Sequence, residues 1–154
     1  MNCIKIPSED FIFIGEKIES LANKHIFNPM GMTFSSMRVL SYINCRDKIS
    51  AKEIIELTGK TKSNITQRLN VLEKNGLIRR IKDAGSEDKR TVYLKITPEG
   101  KRKVNEAMKK IRKIHALKNK FFTQEELLNH LGFMKKISDF LNKEEAMLKK
   151  IFNQ

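Results

Sequence analysis

Residues 61–80 read TKSNITQRLNVLEKNGLIRR, a segment that contains one helix together with its start and stop signals. Thr61 is a predicted N-cap, and Ile65, Leu69 and Leu72 follow at the spacing of a single buried helical face. The run Asn75-Gly76-Leu77 is typical of a helix end, with Gly76 in the left-handed position after the last turn. The segment therefore predicts a helix over 62–74 that buries one apolar stripe and exposes the rest of its surface to solvent.

The outer surface of this helix carries polar and cationic side chains, with no acid before Glu73. Asn and Gln amides can pair with adenine and an Arg guanidinium with guanine, whereas hydroxyls and Lys suit phosphate. We therefore expect two sets of DNA contacts from this helix. The expected base-reading residues are Asn64, Gln67 and Arg68, and the expected phosphate contacts are Thr61, Lys62, Ser63 and Thr66.

Two short strands, 77–82 and 90–96, follow the helix and are joined by the turn-rich segment 83–88. A basic hairpin can place its tip in a narrow minor groove, where the potential is most negative. Asp88 cannot bind phosphate, so we expect it to shape the turn by pairing with Arg90 or a neighbour. The expected DNA-contacting cations of this wing are Arg79, Arg80, Lys82, Lys89 and Arg90.

Helix signals also flank this segment on both sides. Thr33 caps a predicted helix to about Asn44, and the capping box Ser50–Glu53 opens a short helix that ends at Thr58-Gly59. Thr97-Pro98-Glu99 then starts a long helix that runs to about Lys120. The order helix, short helix, turn, helix, hairpin predicts a winged helix-turn-helix, in a chain that is mainly α with a small β-hairpin wing.

The positive charge of the chain is concentrated in one region. The 154 residues carry a formal net charge of +13, and residues 60–120, with 19 Lys+Arg and 6 Asp+Glu, account for all of it. A local excess of this kind indicates an anionic partner such as nucleic acid or a membrane surface. The stretch 101–120, with nine Lys or Arg against Glu106 alone, also fits a solvated helix face or a cleft for an acidic ligand.

Several functional classes find no support in the sequence. No apolar run exceeds four residues, and the N-terminus has no apolar core of signal-peptide length, so we expect a cytoplasmic protein without a membrane span. There is no Gly-rich phosphate loop, no Gly-x-Ser-x-Gly and no His-Glu-x-x-His, so we expect no enzyme activity. His25, His115 and His130 are scattered, and we expect neither a metal nor a cofactor.

At three places the sequence resembles the multiple-antibiotic-resistance-regulator (MarR) family of winged-helix transcription factors. They are Met32-Thr33-Phe34 with Val39-Leu40, the run Leu72–Arg80, and Asp88-Lys89-Arg90 followed by Ile96-Thr97-Pro98-Glu99-Gly100. The last is similar to the family's Asp-x-Arg wing and Leu-Thr-x-x-Gly, with Ile96 where the family usually has Leu. The resemblance extends over nearly the whole chain, because family members have one helix before the winged domain and two after it.

The resemblance implies an obligate homodimer, in which the first helix and the last two pair across a two-fold axis. Helices 8–27 and 123–152 agree with this, because they carry more apolar positions than residues 33–100 need to cover themselves. An intrachain helical bundle is the alternative. We therefore assign 33–100 to DNA binding, and 1–32 with 101–154 to dimerisation. The candidate dimer residues are Phe11, Ile14, Leu127, Leu131, Met134, Leu141 and Leu148.

The resemblance also implies a small phenolic or carboxylate effector in the cleft between the dimer helices and the winged domain, although no residue identifies that ligand. One branch of the family senses peroxides through a Cys in its first helix, and neither Cys3 nor Cys45 lies there. The hypothesis is a homodimeric transcriptional regulator, a repressor that binds a pseudo-palindromic operator. The rival hypothesis is an architectural protein that coats DNA of any sequence, for which the basic stretch 101–120 is the reason.

Overall fold

A computed structural model of the chain describes residues 7–82 and 91–152. The predicted wing-tip residues Asp88, Lys89 and Arg90, as well as Cys3, lie outside these ranges. The chain divides into two compact units, Met1–Ile111 and Arg112–Gln154. None of the helices within the described ranges is both long and apolar enough to cross a membrane.

The described residues form six α-helices and a three-stranded sheet. The helices are α1 (Pro7–Ala22), α2 (Phe34–Asn44), α3 (Ala51–Thr58), α4 (Lys62–Lys74), α5 (Pro98–Phe121) and α6 (Gln124–Phe152). The strands are β1 (Ile49–Ser50), β2 (Ile78–Lys82) and β3 (Val92–Ile96). This order confirms the predicted winged helix-turn-helix with a helix before it and two helices after it.

The predicted first helix, 8–27, is regular only as far as Ala22. Residues Asn23–Phe27 form a π-helical turn and Asn28–Met30 a 3-10 turn, which ends at Gly31 with a φ of 70°. Oδ1 of Asn23 accepts a hydrogen bond from the backbone N–H of Phe34 at 2.6 Å, which ties the widened turn to the start of α2. The helix therefore changes its winding where the chain enters the core, and Phe27 is 1% exposed.

The core of the first unit consists of the segment after α1, from Ile26 to Met32, together with α2, α3, α4, the sheet and the first turns of α5. Ile65, Leu69 and Leu72, the predicted buried stripe of α4, are all buried. On α5 the helical spacing of Val104, Met108, Ile111 and His115 predicts one buried stripe, which is partly wrong: Val104 is buried and Ile111 half-buried, whereas Met108 and His115 are exposed.

The sheet contains a strand that the sequence did not predict. Its order is β1-β3-β2, with antiparallel pairing of Ile49 with Leu94 and of Ile78 with Ile96. β1 has only two residues, too few to show the alternation of a strand. The alternating sequence of β3 predicts Val92, Leu94 and Ile96 on one buried face, and Leu94 and Ile96 are indeed buried, whereas Val92 is exposed at the outer end of the ladder.

Local hydrogen bonds fix the orientation of α4 and of the hairpin. Oγ1 of Thr61 accepts from the N–H of Asn64 at 3.3 Å, and the N–H of Leu77 donates to the carbonyl of Leu72 at 2.9 Å. Thr97 Oγ1 accepts from the N–H of Gly100 at 3.0 Å and donates to the carbonyl of Gly76 at 2.7 Å. Thr97, at the start of α5, is thus hydrogen-bonded to Gly76, just after the end of α4, although the hairpin separates these two residues in the chain.

Candidate nucleic-acid interface

The outer face of α4 consists of polar side chains above a buried apolar stripe. Lys62, Ser63, Thr66 and Gln67 are exposed, as is the cap residue Thr61. Glu73 is the only acid of the helix, and it lies in the last turn. The first two turns therefore offer donors and positive charge without a carboxylate that would repel phosphate.

The three predicted base-reading residues do not lie in equivalent positions. Gln67 is exposed, whereas Asn64 and Arg68 are half-buried and joined by a hydrogen bond from Arg68 Nε to Asn64 Oδ1 at 2.8 Å. This bond draws the Arg68 side chain back along the helix towards the N-terminal turn. Gln67 is therefore the best placed of the three for contact with a base edge.

Arg68 also lines a small notch between α2, the α3–α4 turn and α4, with a volume of about 30 Å³. The other residues that line it are Ser35, Arg38, Val39, Thr58, Lys60 and Ile65. Arg38 and Lys60 received no role from the sequence. Lys60 follows the turn glycine Gly59, and Arg38 is an exposed cation between the buried residues Met37 and Val39, but only the fold brings the two to one space.

The wing strand β2 carries three cations in different environments. Arg79 and Lys82 are exposed. Arg80 forms an ion pair with Glu73 and donates from Nη2 to Asn70 Oδ1 at 2.8 Å, so it braces β2 against α4. The structure thus gives Arg80 a structural role in addition to its predicted one in DNA contact.

The basic stretch of α5 is partly neutralised within its own helix. Arg102 donates two hydrogen bonds to Glu99, from Nε at 2.7 Å and from Nη2 at 2.6 Å, and this bonding lowers the pKa of Glu99 and raises that of Arg102. Glu106 lies 3.4 Å from Lys110 Nζ and 3.6 Å from Arg102 Nη1. Lys103 Nζ donates to the carbonyl of Met30 at 3.0 Å. These cations therefore have structural partners, which weakens the case for α5 as a uniform DNA-coating face.

The candidate dimer residues are largely exposed within the single chain. On α1, Phe11 and Ile14 are 46% and 55% exposed. On α6, Leu131 is 64% exposed, and Met134, Leu141 and Leu148 are also exposed, whereas Leu127 is half-buried. These two helices therefore present apolar surface that the residues around them in their own units do not cover.

A cavity of about 310 Å³ lies in the first unit beside α2 and is mostly apolar. It is lined by Phe27, Phe34, Met37, Arg38, Ser41, Tyr42, Cys45 and Ile111. Cys45 is exposed and forms no disulfide. Within 7–82 and 91–152, no three His, Cys, Asp or Glu side chains come together in a group that could hold a metal ion.

Comparison with known proteins finds one family that matches in sequence and several solved structures with the same fold. Residues 30–90 match the model of the MarR family. A search of curated proteins gave no match. The matched residues thus include the helix-turn-helix, with the polar face of α4, and the first part of the wing.

Solved structures share the fold over most of the chain. A MarR mutant from E. coli, complexed with operator DNA, has a TM-score of 0.75 at 24% identity and covers 86% of this chain and 94% of its own. The MepR–DNA complex from S. aureus has a TM-score of 0.77 at 18% identity, with 90% and 99% covered. The PcaV transcriptional regulator from Streptomyces coelicolor, in complex with its natural ligand, has a TM-score of 0.75 at 18% identity, with 90% and 98% covered.

Sequence match and fold agree on the same winged helix-turn-helix, with one helix before it and two after it. Residues 30–90 therefore match the MarR family in sequence, and the chain shares the fold of the solved MarR structure.

Proposed function

We propose that this protein is a sequence-specific DNA-binding transcriptional regulator that binds a pseudo-palindromic operator as a homodimer and acts as a repressor. One observation carries the proposal: the exposed face of α4 is polar and cationic, and its first two turns hold no acid. An anionic, hydrogen-bonding surface such as the DNA major groove is its natural complement. The MarR and MepR structures with DNA support the same conclusion.

In this proposal α4 enters the major groove and reads it through Asn64, Gln67 and Arg68. The Asn64–Arg68 hydrogen bond uses an acceptor of Asn64 and leaves its amide N–H groups to donate to a base. Phosphates are contacted by Thr61, Lys62, Ser63 and Thr66. Arg79, Arg80 and Lys82 belong to the wing, which contacts the minor groove. Lys89 and Arg90, outside the described residues, are assigned to the same wing contact because of their charge.

The homodimer is proposed from the exposed apolar residues of α1 and α6. Burying one such side chain against a second copy contributes about 1.5–3 kcal/mol, so several of them together can hold a dimer. A two-fold dimer presents two α4 helices to DNA in opposite senses, and its operator must then be close to palindromic.

A small effector is proposed for the cavity beside α2. Its volume of about 310 Å³ is at the lower end of small-molecule sites, and apolar walls with a few polar groups are typical of them. PcaV, which shares the fold, is known in complex with its natural ligand. Ligand binding at this position would release the operator and end the block to polymerase.

The test is the selection of bound fragments from genomic DNA, followed by competition with unrelated DNA. We expect an inverted-repeat site and a preference for it of about 10³-fold or more. Gln67→Ala should reduce this preference, whereas Asn105→Ala, at an exposed amide of α5, should leave it unchanged. Equal affinity for all fragments would favour the architectural rival, and no DNA binding at all would overturn both.

A further inference from the structure

The notch beside α4 contains three cations that come from three different elements. Arg38 belongs to α2, Lys60 to the α3–α4 turn and Arg68 to α4, and all three line the same space. No carboxylate lines it. An anion that enters this space is attracted by the positive side chains around it and meets no carboxylate among the lining residues.

The other polar groups of the notch already have partners. Ser35 Oγ donates to Glu19 Oε1 at 3.1 Å, and Thr58 Oγ1 donates to the carbonyl of Ile54 at 2.7 Å. The cations are therefore the groups that remain to bind an anion. Two of the three have a neighbour that restrains them: the Arg38 guanidinium lies 6.0 Å from the centre of the Phe34 ring, and Arg68 Nε donates to Asn64 Oδ1.

The size of the notch limits what it can accept. About 30 Å³ is enough for a group the size of a water molecule or one phosphate oxygen, but far too small for an organic effector. The notch also lies on the flank of α4, beside the face that carries Gln67. In helix-turn-helix complexes the DNA backbone passes this flank, because the second helix occupies the groove while the first crosses the backbone.

We propose that the notch formed by Arg38, Lys60 and Arg68 seats a backbone phosphate of the operator, and that Arg68 contacts this phosphate and not a base. The inference rests on the proposed function and deepens it. It adds Arg38 and Lys60 to the DNA contacts and removes Arg68 from the base-reading set. Base discrimination by α4 is then left to Gln67 and Asn64.

A phosphate contact and a base contact have different signatures in binding measurements. Removing a phosphate contact weakens binding to every sequence and reduces the slope of log K against log salt by about 0.9. Removing a base contact reduces the preference for one base pair and leaves the slope nearly unchanged. The notch residues and Gln67 should therefore fall into two separate classes.

The experiment uses the full chain with two duplexes of equal length, one containing the selected operator and one of unrelated sequence. Arg38→Gln, Lys60→Gln and Arg68→Gln remove the charge of each side chain and keep a polar, hydrogen-bonding end. Lys136→Gln is the control, since Lys136 is an exposed cation of α6. Binding is measured over a salt series, and thermal melting of each variant verifies that it is folded.

Because the three cations share one phosphate, we expect the triple variant to lower the salt slope by about 0.9 on both duplexes, and each single variant to account for part of that fall, with the operator preference unchanged. Arg38→Lys should restore the slope. An unchanged slope for Arg38→Gln and Lys60→Gln overturns the notch, while wild-type preference for the operator would leave the proposed function standing. If Arg68→Gln instead relaxes the preference at one base pair, Arg68 reads a base and its place in the notch is wrong. If the wild type does not distinguish the duplexes, the proposed function itself fails.

Discussion

The winged helix and the two helices α1 and α6 carry apolar residues at similar spacing, but only the winged helix buries them within its own chain. Ile65 and Leu72 of α4 are each 1% exposed, whereas Ile14 of α1 is 55% and Leu131 of α6 is 64% exposed. In the proposed homodimer, the exposed apolar residues mark the surface that the second copy covers. The winged helix has its complementary surfaces in the sheet and in α2, whereas α1 and α6 offer surfaces that a second copy can cover.

Substitutions in the two regions should therefore differ in how they depend on protein concentration. Loss of a buried side chain in the winged helix removes contacts made inside one chain. Loss of an apolar side chain from α1 or α6 removes contacts that, in the proposed dimer, are made between chains, and its effect depends on association.

The largest effect is expected in the core of the winged helix. Leu40→Ala removes a side chain that is 0% exposed, so we expect the free energy of unfolding to fall by about 2–5 kcal/mol. The loss should be the same at low and high protein concentration, as measured by denaturant unfolding. Leu40→Met, which nearly preserves the volume, should cost less than about 1.5 kcal/mol. A loss that disappears at high concentration would contradict the view that this core is complete within one chain.

The next effect concerns α6. Leu131→Glu should weaken the dimer by about 100-fold, equivalent to about 2.7 kcal/mol, because a charge then replaces an apolar contact between copies. Sedimentation at several concentrations measures this change, and the helical circular dichroism should be nearly unchanged. Asn129→Glu, two residues earlier on another face of α6, is the matched control. If wild type and Leu131→Glu associate equally, Leu131 is not at the interface.

Two glycines, Gly100 and Gly132, test how closely the two regions are packed. A Cβ on Gly100 would lie 2.2 Å from the carbonyl oxygen of Leu77 and 2.7 Å from Cγ1 of Ile96, whereas a Cβ on Gly132 of α6 meets nothing within 4 Å. We expect Gly100→Ala to destabilise the protein by about 1–3 kcal/mol through overpacking. Gly132→Ala should instead be neutral or add up to about 1 kcal/mol of helix stability. Thermal unfolding of both variants is the measurement, and equal destabilisation would show that Gly132 too is closely covered.

The structural features that were predicted correctly from the sequence are those determined by neighbouring residues. The helix 62–74 was predicted with its observed bounds, because the cap at Thr61, the apolar stripe and the stop at Gly76 are all local signals. The capping box at Ser50 and the helix start at Thr97 were predicted for the same reason. Local hydrogen bonding leaves a clear trace in residue type and spacing.

What the sequence did not predict depends on contacts between distant residues. β1 exists because Ile49 pairs with Leu94, and the π-helical turn is bonded through Asn23 to the start of α2. The bracing of β2 by Arg80 is likewise set by Glu73, which lies seven residues earlier in the chain. The candidate site shows the same division, since the polar face of α4 could be read from the sequence and the notch with Arg38 could not.

The smallest effect tests whether helix starts follow the same division between the two regions. Ser50–Glu53 in the winged helix and Thr123–Glu126 at α6 form the same capping box. Each Glu accepts a hydrogen bond from the backbone N–H of its cap residue at 2.7 Å. This bond has the largest effect, the bond from the hydroxyl of the cap residue has the next largest, and both lower the pKa of the Glu carboxyl.

A lowered pKa means that each charged Glu stabilises the folded state above the ordinary pKa of about 4.3, and that this contribution is lost as the pH falls through the lowered value. Ser50→Ala should cost about 1 kcal/mol at pH 7, as measured by denaturant unfolding. Glu53→Gln should remove the pH-dependent part of the free energy of unfolding, so the difference in stability between this variant and wild type should vanish at low pH.

Carboxyl titration by NMR should show that the pKa values of both Glu53 and Glu126 lie below the ordinary range, because a capping box forms within one helix start and does not depend on a second copy of the chain. A lowered pKa for Glu53 beside an ordinary one for Glu126 would mean that the start of α6 frays, and would extend the contrast between the two regions from side-chain packing to the backbone.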